Sequence, residues 1–153
     1  MHKRARSWSS WLAVAILLLI LGAGGASLAG SQKSQSDRHS LKNEVSGLKS
    51  QAGVGRLVAE QALAGNLTRT YVEAQAVQMR KGVEQTRDEL TPEEFEPELS
   101  TQVMQAADLA RRLDGALNTL KDAGADGRAA ESARNNLSGL FAELSELEEG
   151  LKE

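Results

Sequence analysis

The sequence contains no cysteine. That excludes disulfides, thiolate metal ligation and a lipid anchor carried on cysteine. Only two prolines occur, Pro92 and Pro97, and both fall in one short stretch, so the tracts on either side run without a helix breaker. Aromatic residues make up 3% of the chain, and beyond residue 30 they are only Tyr71, Phe95 and Phe141. A core there must be Leu, Val and Ala, which suits closely packed helices better than a sheet. Histidine is as scarce: His39 is the only one beyond residue 30. A Ser-His-Asp triad, a histidine zinc site and the Glu-x-x-His of ferritin-like proteins each need a histidine on a structural element. No Gly-rich phosphate loop follows a strand, and no strand pattern is visible. The expectation is a chain without catalytic activity, without a cofactor and without a metal.

Charge narrows the partners. Fifteen of the 18 Lys and Arg and all 21 Asp and Glu follow residue 30, which gives that part a net charge of −6. Phosphate binding rests on clustered cations, so nucleic acid is not an expected partner.

One stretch stands apart. Residues Trp11–Ala29, WLAVAILLLILGAGGASLA, carry no charge, and Lys3, Arg4 and Arg6 precede them. As a helix the stretch reaches roughly 28 Å, close to the ~30 Å hydrocarbon core of a bilayer. Basic residues before it stay cytoplasmic, and Trp8 and Trp11 sit where an indole keeps its N–H wet. The expectation is a single-pass anchor in the inner membrane, N-terminus in, with the bulk of the chain periplasmic or extracellular. A cleaved signal peptide is the other reading, since Ser27-Leu28-Ala29 has the small-residue form of a cleavage site. Cleavage near Ala29 would make the protein secreted. The pairs Gly22/Ala26, Gly25/Ala29 and Ala26/Gly30 have the spacing that lets membrane helices approach closely. The basic start, short apolar segment and Ala/Gly-rich usage suit a bacterial envelope.

Residues 1–10 thus read as a basic cytoplasmic region, 11–29 as anchor or signal, 30–40 as a polar linker, and 41–153 as a helical domain with Ser40 as N-cap. From Leu41 apolar and small residues recur at alternating four and three: Leu41, Val45, Leu48, Ala52, Gly55, Ala59, Ala62. Such a period of 3.5 is a coiled-coil-like seam. Its second half is small, so Ala52, Gly55, Ala59 and Ala62 are the candidate face for a closely packed helical partner. Gly65-Asn66 offers a left-handed cap that would end the helix. The alternative is one helix of ~50 residues running through both tracts. The second tract is Val72, Ala76, Met79, Val83, Thr86, Leu90, widened by Leu67, Tyr71 and Ala74. Thr91-Pro92-Glu93-Glu94 has the form of a capping box with proline at the first helical position. Residues 91–97 read as a loop with one helical turn and Phe95 against the end of the domain. The third tract is Leu99, Val103, Ala106, Ala110, Leu113, Leu117, Leu120, and the fourth Ala130, Ala133, Leu137, Leu140, Leu144, Leu147, Leu151. Asp122–Gly127 separates them, with Gly124 and Gly127 available for turn conformations.

Three tracts of similar length joined by short loops predict an all-α fold, an antiparallel up-down-up-down four-helix bundle. The six carboxylates between Asp88 and Glu98 and the acidic run Glu143–Glu153 read as solvated helix ends rather than metal ligands. The pairs Arg80-Lys81 and Arg111-Arg112 are the only candidate clamp for a small anion.

A membrane helix followed by four helices resembles the periplasmic four-helix sensor domains of bacterial chemoreceptors. That resemblance implies a sensory or ligand-binding domain, here without a cytoplasmic output of its own. The layout is also similar to short bitopic division or envelope proteins, which place a coiled coil outside the membrane. The first expectation is a membrane-anchored interaction module that binds a protein partner or a second copy through its helices. Nothing in the residues identifies a small-molecule ligand.

Overall fold

The computed structural model describes residues 33–152, and the segment Trp11–Ala29 lies outside them. These residues form an all-α unit of four helices: Lys33–Leu63 (α1), Arg69–Glu89 (α2), Ser100–Asp122 (α3) and Gly127–Gly150 (α4). There is no strand among the described residues. None of these helices is long and apolar enough to cross a membrane.

Each helix buries the seam its sequence announces. Leu41, Val45, Leu48, Ala52 and Ala59 of α1 are shut away from solvent, as are Val72, Ala76, Met79 and Val83 of α2. The same holds for Leu113, Leu117 and Leu120 of α3, and for Leu137, Leu140 and Leu144 of α4. No polar or charged residue among the described ones is buried. Fully burying one Leu or Val stabilises the fold by ~1.5–3 kcal/mol relative to exposure, so these seams supply the cohesion. Ala74 is the exception to the expected faces. It lies two positions from Val72, about 200° around the helix, and is exposed.

The ends follow local chemistry, with three departures from expectation. First, α1 is already helical at Lys33, where the described residues begin, so the polar stretch expected as linker is helical from there and Ser40 caps nothing. Residues 33–40 have no apolar period, but they also contain no Gly or Pro, and Lys, Gln and Arg are good helix formers. Second, Thr91 makes no capping bond; its hydroxyl donates back to the Asp88 carbonyl at 3.2 Å. The two prolines open single 3₁₀ turns, Pro92–Glu94 and Pro97–Leu99, and α3 begins only at Ser100. Phe95 packs against the core from this connector, as expected. Third, neither Gly124 nor Gly127 takes a left-handed conformation. Gly124 serves close approach instead: a Cβ there would lie 2.6 Å from Arg69 Cα.

The break between α1 and α2 is at Gly65, which has φ 71°. The Asn66 N–H donates to Gln61 O at 2.9 Å and the Gly65 N–H to Ala62 O at 3.0 Å. This pair of bonds is a Schellman closure, and it ends α1 where a single long helix would have continued. Thr68 then caps α2, its hydroxyl accepting from the Tyr71 N–H at 3.3 Å. Asp126 caps α4 by accepting from the Arg128 N–H at 2.9 Å.

Candidate functional site

The small face of α1 is enclosed by the domain itself. Ala52, Gly55 and Ala59 are buried and Ala62 is half-buried. A Cβ on Gly55 would stand 3.0 Å from Leu117 Cδ2 and 3.2 Å from Leu137 Cδ1. The close partner that this seam admits is therefore present in the chain: α3 and α4. The membrane-packing residues Gly22, Gly25, Ala26 and Ala29 lie outside the described residues.

Ion pairs tie three of the seams between helices. Lys49 of α1 pairs with Glu148 of α4. Arg80 of α2 reaches Asp114 of α3 through Nε at 2.8 Å and Nη2 at 3.2 Å, and donates to Asn118 Oδ1 from Nη1 at 3.1 Å. Arg112 of α3 makes a two-pronged contact with Glu143 of α4 at 2.5 and 2.6 Å. These contacts hold the Arg80 and Arg112 side chains further above their ordinary proton affinity, through hydrogen bonds to Asp114 and Glu143 respectively. The same contact with Arg112 pulls the Glu143 carboxyl below its ordinary range. Two of the four residues in the expected anion clamp are thus committed to carboxylates of neighbouring helices, and Arg111 pairs with Asp108 on its own helix.

An open groove of about 290 Å³ runs beside the Arg80–Asp114 contact between α2 and α3. Val77, Arg80, Lys81, Glu84, Arg87 and Asp114 line it. Arg87 leans towards Asp88 at 3.3 Å and Glu84 at 4.0 Å, so its charge is shared within α2. The groove mixes both signs and has one apolar wall. Of the acidic stretch, Glu93, Glu94 and Glu98 are exposed, and no group of metal-ligating side chains gathers among the described residues. His39 is exposed on α1, and Tyr71 is half-buried at the edge of α2.

Four large apolar side chains face solvent: Leu57, Leu63, Val77 and Met104, the last 55% exposed. All four stand off the seams, and their position outside the four-three repeat was the signal in the sequence. The pairs Arg80–Asp114, Arg112–Glu143 and Lys49–Glu148 carried no such signal, because they join residues 34, 31 and 99 positions apart. Comparison with known protein families, characterised proteins and solved structures finds no match to the chain.

Proposed function

We propose that this chain is a membrane-anchored, extracytoplasmic helical module that works by contact with other molecules and not by catalysis. The observation that carries the reading is the uncharged span Trp11–Ala29 behind Lys3, Arg4 and Arg6, in one chain with a helical unit whose fully buried residues are all apolar. With no polar residue fully buried among the described ones, contact with a partner falls to the surface. Small pairs such as Gly22/Ala26 and Gly25/Ala29 offer the membrane segment a face for a second copy.

Within this reading the four helices run up-down-up-down and antiparallel. Residue pairs support it: Lys49 meets Glu148, Gly53 lies against Phe141 and Gly55 against Leu137, so α1 and α4 count in opposite directions. Arg80 with Asp114 and Arg69 with Gly124 give the same sense for α2 and α3.

A second reading, a ligand-binding sensory domain, is favoured by the α2/α3 groove. One measurement tests the anchor common to both, and a second separates the two readings. Reporter fusions at Lys152 should report an extracytoplasmic position, and a cytosolic signal would overturn the anchor. Pull-down of the full chain from envelope extract should recover a helical partner or a second copy. Recovery of neither, with a thermal shift on adding small anions that Arg80→Ala abolishes, would replace the contact reading by the sensory one.

A further inference from the structure

Helix α1 has a second row at alternating four and three, opposite its buried seam: Asn43, Gly47, Ser50, Val54, Leu57 and Gln61. Five of these six are exposed and Val54 is half-buried. None is charged. The helix is not short of charge over this length, for Lys42, Glu44, Lys49, Arg56 and Glu60 lie within it. At 100° per residue all five fall to the two sides of the row. The other helices carry exposed charge on their outward sides: Lys81 on α2, Arg111 on α3 and Glu131 on α4. A helix face left to water is ordinarily charged, whereas the centre of a protein contact is depleted of charge. Leu57 is moreover 45% exposed in the middle of this row.

We propose that this row is where a second copy of the chain docks, α1 against α1. The inference rests on the contact reading above and names its partner and its face. Two identical copies related by a two-fold axis lay the same surface on itself. A charge in the row would then meet its own sign, which is costly in a contact. A row with no charge escapes that cost whichever way the two helices run. The part of the chain beyond residue 30 carries a net charge of −6, so two copies repel, and least where charge is absent. Val54 and Leu57 supply apolar area, and the four-three spacing is the one at which two helices pack along their length. Gly47 and Ser50 let the backbones approach closely. The row is short: Asn43 to Gln61 spans roughly 27 Å, less than a standard interface needs. Two copies anchored in one membrane meet at raised effective concentration, which lets so small a contact form.

Because the chain has no cysteine, single-cysteine variants of the full chain in phosphatidylcholine vesicles test this. Ser50 lies near the middle of the row, so its copies come close in either direction. Under copper-catalysed air oxidation, Ser50→Cys should form a disulfide-linked dimer at least about fivefold faster than Gly115→Cys, which sits exposed on α3. Association of the membrane segments would raise both rates alike, so the ratio reports the row. Leu57→Arg added to Ser50→Cys should lower its rate to that of Gly115→Cys, with an unchanged helical circular-dichroism signal. Equal rates at the two positions would overturn the proposal, as would a Ser50→Cys dimer that Leu57→Arg leaves intact. A faster Gly115→Cys dimer would keep a second copy as partner and overturn this row. Equal rates, with a different protein recovered in the pull-down, would overturn the row and leave the contact reading standing.

Discussion

Arg80 and Asp114 meet side to side, two nitrogens of one guanidinium on two oxygens of one carboxylate, with Asn118 taking a third N–H. Lysine cannot reproduce that fork. Both side chains are about a third exposed, which limits the contact to the scale of a surface pair. Arg80→Lys should cost ~0.5–1 kcal/mol in denaturant unfolding, with an unchanged slope against denaturant concentration.

Lys49 and Glu148 form the least exposed of the pairs between helices. Removing one partner leaves the other charge half-sheltered. Glu148→Ala should therefore destabilise more than Glu143→Ala, by ~1–2 kcal/mol against less than ~1 kcal/mol. Parallel unfolding curves of the two variants give the ranking.

Two glycines of α1 should respond in opposite directions. Gly47 has open space around its missing Cβ and is exposed. Gly47→Ala should stabilise by ~0.5–1 kcal/mol through helix propensity alone. At Gly55 a Cβ would stand 3.0 Å from Leu117 and 3.2 Å from Leu137, closer than van der Waals contact. Gly55→Leu should destabilise by ~1–3 kcal/mol or more, since a well-packed core resists added volume. A neutral Gly55→Leu would mean that α1 does not lie this close to α3 and α4.

Leu117 is fully buried and touches the α1 approach directly. Leu117→Ala should cost ~2–5 kcal/mol, the transfer loss plus the cavity left behind. Thermal unfolding followed by the helical circular-dichroism signal measures it.

Acid should act on two carboxyls with opposite sign. The Glu143 carboxyl is held below its ordinary value of 4.5 by Arg112. Its contribution is present above that value and is lost as pH falls through the lowered one. The Glu44 carboxyl is raised above 4.5. Stability from its protonated form is complete below 4.5 and fades as pH rises through the raised value. Unfolding free energies measured from neutral to acid pH should therefore rise first and then fall. Glu44→Gln should remove the rise, and Glu143→Gln should soften the fall.

Much of this fold was legible in spacing. Ala, Leu and Val at alternating four and three mark the buried face of every helix, because burial repeats with the turn of the helix and with nothing else. Breaks were legible at Gly65 and around the two prolines for the same local reason. The helix over residues 33–40 was not, since a polar stretch without Gly or Pro is as compatible with helix as with coil. Nor was the occupant of the small face at Gly55. Spacing tells that a close neighbour is wanted, while Leu117 and Leu137 lie 62 and 82 positions downstream.

The interior repeats Leu, Ala and Val at one period, and one glycine singles out a place along a helix: Gly55, under Leu117 and Leu137. Shifting α1 by seven residues against its neighbours would bring Leu48 or Ala62 to that place, where even one methyl group is crowded. The axial position of α1 is thus set from inside at Gly55, and the Lys49–Glu148 pair matches the same alignment at the surface. Neutralising Lys49 and Glu148 should therefore leave one alignment, whereas filling the place of Gly55 with a large side chain should give several slipped ones in slow exchange.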